Sequence, residues 1–114
     1  MRIVILPSFP LNILPWHVSD RFTVLFIKRT LNELKGIIGE REVISYIRHA
    51  PTNKLLSKYF KLVDKSNEQY QFSPQDYIII ITLTKRTPVS GQDIEVSEND
   101  LLVVDVGIAK GSWV

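Results

Sequence analysis

The chain has 114 residues, 45% hydrophobic and 23% charged, which suits one globular domain and is short for two. It has no cysteine, which excludes disulfides, thiolate metal ligands and a cysteine nucleophile, and its two histidines, His17 and His49, argue against a multi-histidine zinc site. The net charge of +2 is too small to identify a partner, so its distribution matters more than its size.

The run Ile3–Leu6 is continuously apolar and stopped by Pro7, which predicts a buried first strand. It is too short for a signal-peptide core, and no stretch approaches the roughly 20 apolar residues that span a bilayer, so the expected location is cytoplasmic, with no membrane partner. Residues 7–15 hold Pro7, Pro10 and Pro15 with Ser8 and Asn12, the composition of a loop with one helical turn. Residues 21–28, rich in β-branched and aromatic side chains, predict a second strand. Thr30-Leu31-Asn32-Glu33 has the form of a capping box, with Leu31, Leu34 and Ile38 on one helical face and Gly39 as the stop. The β-branching of Val43, Ile44 and Ile47 favours a strand over residues 42–48.

From Pro51 the pattern turns helical, with Leu55, Leu56, Tyr59, Phe60 and Val63 on one face and Lys54, Lys58 and Lys61 on another. Residues 69–72 and 77–84 read as a hairpin joined by Ser73-Pro74-Gln75-Asp76, and Ile78, Ile79, Ile80 and Ile81 mark a central strand covered on both sides. Residues 85–93 read as a loop, Ser97-Glu98-Asn99-Asp100 as one helical turn, and residues 101–106 as a last buried strand. The expected fold is α/β, a small mixed sheet of about five strands with helices packed on it. Homodimerisation would supplement so small a core.

The chemistry-bearing positions lie in loops. No acidic residue occurs between Glu42 and Asp64, while Arg48, Lys54, Lys58 and Lys61 do, so this stretch attracts anions. In Arg48-His49-Ala50-Pro51-Thr52-Asn53, Pro51 fits the first helical position, which makes Ala50 a poor N-cap and leaves the backbone donors of Thr52 and Asn53 open to a phosphate. His49 beside them is able to move a proton near neutral pH, and Arg48 and Lys54 supply fixed positive charge. Alternatively Thr52 is the N-cap and His49 a surface residue. Lys85-Arg86-Thr87-Pro88 follows the central strand, where α/β proteins bind ligands, and Arg86 suits a two-point grip on phosphate. Ser8 and Asn12 are able to hydrogen-bond a ligand, though such residues serve turns as readily. There is no Gly-rich phosphate loop, HExxH or GxSxG, and the carboxylates are too scattered for two-metal catalysis; no metal or cofactor is expected. Trp16 and Trp113 suit core or dimer anchors, and His17 a structural or surface role.

In order along the chain, these features resemble the small ring nucleases that archaeal viruses use as type III anti-CRISPR proteins. The resemblance rests on Leu6-Pro7-Ser8-Phe9-Pro10-Leu11-Asn12-Ile13-Leu14 after the first strand and on Ile47-Arg48-His49 leading to Thr52, Leu55 and Leu56. It continues through Arg86, Pro88 and Gly91 to Val96-Ser97-Glu98-Asn99-Asp100-Leu101. It implies a homodimer that binds cyclic tetra-adenylate across its two-fold axis and cleaves it without metal. The ribose 2′-hydroxyl attacks the adjacent phosphorus while a histidine protonates the departing 5′ oxygen. Carried over, His49 is the general acid, Arg86 neutralises charge on the phosphate, and Ser8 and Asn12 position the ribose or phosphate. The sequence departs from the family pattern at three places. Arg48 stands for a glycine, Pro10 for a serine, and Val89 or Ser90 for an acidic residue. A second class of function, a non-catalytic protein holding nucleic acid or a cyclic nucleotide on the lysine stripe, predicts steep salt dependence and indifference to His49. A third is an interaction protein with no ligand.

Overall fold

The computed structural model describes residues 1–84 and 95–110. Among them the sheet has six strands, β1 (Ile3–Leu6), β2 (Phe22–Lys28), β3 (Glu42–Ser45), β4 (Lys61–Asp64), β5 (Tyr77–Leu83) and β6 (Leu101–Lys110), in the order β2-β6-β5-β1-β3-β4. Its two α-helices are α1 (Leu31–Ile38) and α2 (Ala50–Leu56). β1 pairs parallel with β3 and β5, β3 parallel with β4, and β6 antiparallel with both β5 and β2. Only β6 therefore runs against the others, and the fold is the expected mixed α/β sheet with one more strand.

The alternation of β5 shows why the centre is apolar on consecutive residues. Ile79 and Ile81 join Ile3, Ile5, Leu31, Leu34, Ile38 and Leu56 in the core under both helices, while Ile78 and Ile80 join Val4 and Leu6 on the opposite face. Among the described residues no α-helix packs on that second face. Phe9, Ile13, Tyr46, Tyr70 and Phe72 cover it instead, packed beside Val104, Val106 and Ile108.

α1 follows its sequence signals closely. Thr30 accepts from the Glu33 amide at 3.1 Å, the Glu33 carboxylate accepts from the Thr30 amide at 3.1 Å, and Leu31, Leu34 and Ile38 are buried. Gly39 ends the helix with φ +65°, a left-handed conformation that glycine adopts at little cost. Thr30→Ala removes half of this reciprocal cap and should cost about 1 kcal/mol. A urea midpoint lowered at unchanged slope checks it.

Two expectations are corrected. The helix from Pro51 ends at Leu56, and Lys61–Asp64 forms β4 rather than a further helical turn. Phe60-Lys61-Leu62-Val63 carries aromatic and β-branched residues, and pairing with β3 decides in favour of strand. Residues 69–72 form no strand. The segment that β5 was expected to pair with docks Tyr70 and Phe72 on the helix-free face, because β1 and β6 occupy both edges of β5.

The turn before β5 is organised by a buried carboxylate. Asp76 accepts from Arg2 Nε at 2.9 Å, Arg2 Nη2 at 2.7 Å, the Tyr70 hydroxyl at 2.7 Å and the Ser73 amide at 3.3 Å, with its side chain 1% exposed. Burial by itself would raise the Asp76 pKa, but these donors outweigh it and hold the group below the ordinary carboxylate range. A folded-state pKa below the unfolded value stabilises fully above about pH 4, the unfolded value, and that contribution is lost as pH falls through the folded one. Denaturant titrations across pH 2–7 should show that loss in the wild type. Asp76→Asn should start less stable at neutral pH and lose less on acidification.

Candidate functional site

The carboxyl ends of the parallel strands bring the predicted loops to one edge of the sheet. Ser8 follows β1, His49 follows β3 and Ser66 follows β4, and the Tyr46 amide donates to the Ile5 carbonyl at 2.9 Å, so the loop after β3 leaves alongside β1. Arg86, with Pro88, Val89, Ser90 and Gly91, lies outside the described residues, beyond the end of β5.

His49 itself, not Ala50 or Thr52, is the N-cap of α2, and Pro51 is the second helical residue. The Asn53 amide is not open to a ligand, because it donates to the His49 carbonyl at 3.2 Å as the first helical bond. α2 is only 7 residues long, under two turns, so its dipole adds little to anion binding. The site therefore depends on side chains.

The imidazole is held in place. His49 Nδ1 lies 2.8 Å from Thr52 Oγ1, one turn into the helix, and Thr52 is 2% exposed. His49 is half-buried, and Nε2 is the ring nitrogen without a hydrogen-bond partner among the described residues. The loop carrying the histidine is strapped at both ends. The Ser45 hydroxyl donates to Asn53 Oδ1 at 2.7 Å, Asn53 Nδ2 donates to the Ile47 carbonyl at 2.7 Å, and the Ile47 amide donates to Ser45 Oγ at 3.2 Å. Asn53, expected to face a ligand, thus spends its amide on the scaffold. Ser45, 0% exposed, is a positioning residue that no local pattern in the sequence singles out. A serine inside Glu42–Ser45 reads as an ordinary strand residue, and the partner that makes it matter comes from the next element.

The cations divide. Arg48 is exposed and its Nε donates to the Ser66 carbonyl at 3.2 Å, which fastens the loops after β3 and β4 to each other. Ser66 in turn donates to Asp64 and holds that carboxyl below its ordinary range. Lys54 and Lys58 line a cleft of about 550 Å³ that runs from Ala50 and Pro51 to Glu95 and Val96. The expected three-lysine stripe is broken, because Lys61 belongs to β4 and sits 3.5 Å from Glu40.

Ser8 and Asn12 are exposed, with Asn12 in the 3-10 turn Leu11–Ile13. Asn12 also borders a separate cavity of about 670 Å³ on the face away from the α-helices, with His17, Phe72 and Ile108, which none of the other predicted site residues among the described ones lines. Trp16 is 46% exposed, stacks edge-on to Phe22 and donates its indole N–H to the Leu11 carbonyl at 2.9 Å, so it braces this loop rather than the core. Trp113 lies outside the described residues. Among the described residues no helix is long and apolar enough to cross a membrane.

Residues 5–106 match the protein family described as STIV B116-like. No curated protein matches the chain.

Proposed function

The chain belongs to the STIV B116-like family, an archaeal-virus protein family, and from that premise and the setting of His49 we propose that it is a ring nuclease that binds and opens cyclic oligoadenylate, cyclic tetra-adenylate in the first instance. The observation that carries the proposal is a single imidazole at the carboxyl edge of β1 and β3, its Nδ1 fixed by Thr52 and its Nε2 left for a substrate.

In the proposed reaction the ribose 2′-oxygen forms a bond to the adjacent phosphorus as the bond from phosphorus to the 5′ oxygen breaks. The 2′ proton passes to solvent. His49, protonated, delivers the Nε2 proton to the departing 5′ oxygen, and the products are a 2′,3′-cyclic phosphate end and a 5′-hydroxyl end. Thr52 serves as the positioning residue, accepting from Nδ1–H of the imidazolium. Arg86 and Lys54 offset the phosphate charge, and Arg48 adds to the local positive field. Ser8 and Asn12 contact the ribose or phosphate from the loop after β1. Two copies of the chain facing across a two-fold axis would present His49 to opposite phosphates of a ring with matching symmetry.

Incubation of labelled cyclic tetra-adenylate with the protein in EDTA tests this. The expected result is retention of the ring together with linear products carrying cyclic-phosphate ends. Retention without products would favour the second reading, a protein that sequesters the ring, and absence of both would remove the proposal.

A further inference from the structure

His49 stands at the end of the short connection, residues 46–49, between β3 and α2. The first two residues of that connection are fixed from inside the fold. The Tyr46 amide donates to the Ile5 carbonyl, while Ser45 Oγ and Asn53 Nδ2 hold the amide and the carbonyl of Ile47. Arg48 is different. Among the described residues its backbone N–H and C=O enter no hydrogen bond, so its side chain is left to fix the residue next to the histidine.

That side chain reaches outward to the edge of the sheet. Its Nε donates to the Ser66 carbonyl at 3.2 Å, a bond strengthened by the guanidinium charge. Ser66 is itself anchored. Its amide donates to Asp64 Oδ1 at 2.8 Å, the turn by which an aspartate holds the backbone two residues on. The Lys65 amide donates to the Ser45 carbonyl at 2.8 Å, so this turn stays bonded to β3. In the register of β3 and β4, Asp64 lies opposite Ser45. Two chains of hydrogen bonds therefore start from one pair of neighbouring residues. The inner one runs from Ser45 through Asn53 to Ile47, and the outer one from Asp64 through Ser66 to Arg48. They meet at the Ile47–Arg48 peptide, one residue before His49.

We infer that Asp64 and Arg48 are positioning residues for His49. Asp64, exposed on the outermost strand, sets the Ser66 carbonyl that Arg48 grips, and so sets the aim of Nε2. The kinetic consequences rest on the proposed cleavage of cyclic oligoadenylate, whereas the structural one does not. The sign of the effect separates this role from a simple electrostatic one. Asp64 is a negative charge near a site for an anion, so by charge alone its removal helps binding and cleavage. Through the turn, its removal hinders cleavage.

The experiment compares Asp64→Ala, Asp64→Asn, Arg48→Ala and the double variant Asp64→Ala/Arg48→Ala in the full chain, each with a wild-type circular dichroism spectrum. Asparagine keeps an oxygen able to accept from the Ser66 amide and loses the charge. Single-turnover cleavage of saturating cyclic tetra-adenylate should fall about 5-fold in Asp64→Ala and stay within about 2-fold of wild type in Asp64→Asn. KM should rise in neither. Arg48→Ala should lose rate and also raise KM, because a cation goes with the strap, and adding Asp64→Ala should cost no further rate. The ring-free protein supplies a reading that needs no activity. The NMR resonances of the His49 imidazole should shift or broaden in Asp64→Ala and Arg48→Ala, and keep their wild-type positions in Asp64→Asn. Imidazole resonances unmoved by Asp64→Ala, or equal cleavage rates for Asp64→Ala and Asp64→Asn, would overturn the inference. Resonances that follow the expected pattern in a protein that leaves the ring intact would uphold the strap and remove the proposed cleavage.

Discussion

Replacing His49 by alanine should slow opening of cyclic tetra-adenylate by roughly 10²–10⁴-fold, the range for loss of a positioned general acid. Binding of the intact ring should change far less, because the fixed positive charge of Lys54 and the neighbouring cations remains. Thr52→Val separates the positioning role from the catalytic one. The hydroxyl within 2.8 Å of Nδ1 is removed while the buried volume at this 2% exposed position is nearly kept. The imidazole then turns more freely, and the single-turnover rate at saturating ring should drop by about 10-fold with little change in KM. In the double variant the Thr52→Val effect should vanish, since there is no ring nitrogen left to orient. Lys54→Ala should show the converse split, a raised KM with kcat largely kept, because a cation on the cleft wall serves binding in ground and transition states alike. Undiminished cleavage by His49→Ala would remove the assigned acid, whatever the binding data show.

How far the sequence foretold this site depends on the range of the interactions involved. The α1 cap was legible because both of its partners, Thr30 and Glu33, lie within one turn. The centre of the sheet was legible in Ile78, Ile79, Ile80 and Ile81, since only a strand covered on both faces tolerates four consecutive buried isoleucines. The region after α2 was not. Tyr59, Phe60 and Val63 keep a helical spacing, and what makes residues 61–64 a strand is the open edge of β3 beside them, a non-local partner that periodicity does not register. Tyr70 and Phe72 misled in the opposite sense, since aromatic residues favour strands and also serve as plugs over an uncovered sheet face. At the site, His49 stood out as a residue type. The Ser45–Asn53–Ile47 strap that fixes its loop did not, because it depends on how β3 and α2 meet. The cap on α2 was misplaced for a local reason. Pro51 is acceptable at either of the first two helical positions, where no backbone donor is needed.

The largest stability effect away from the apolar core should come from Asp105. This β6 residue is 7% exposed on the helix-covered face, opposite Ile27 of β2 and Ile79 of β5. One carboxylate oxygen accepts from Arg29 Nε at 2.9 Å and from the Tyr77 hydroxyl at 2.8 Å, linking the chain after β2 to the start of β5 through β6. Burial, and then the bond to Asp105, push the Tyr77 pKa up to about 12, so the phenol stays a neutral donor throughout the neutral range. In Asp105→Ala the two donors fare differently. Arg29 is partly exposed and has Glu33 3.8 Å away on its outer side, so it turns to water at little cost. The Tyr77 hydroxyl, on a residue packed against the core, loses the acceptor it has among the described residues and faces the space the carboxylate leaves. Together these should destabilise by about 2–3 kcal/mol, lowering the melting temperature by roughly 6–15 °C in a domain of this size. Tyr77→Phe removes the donor instead of orphaning it and should cost about 1 kcal/mol. The double variant should then be less destabilised than the sum of the two, because its phenylalanine no longer seeks a partner. Additive losses in that cycle, or an Asp105→Ala protein no less stable than Tyr77→Phe, would show that the carboxylate does not act through the tyrosine, and the link between the two strands would have to be carried by packing alone.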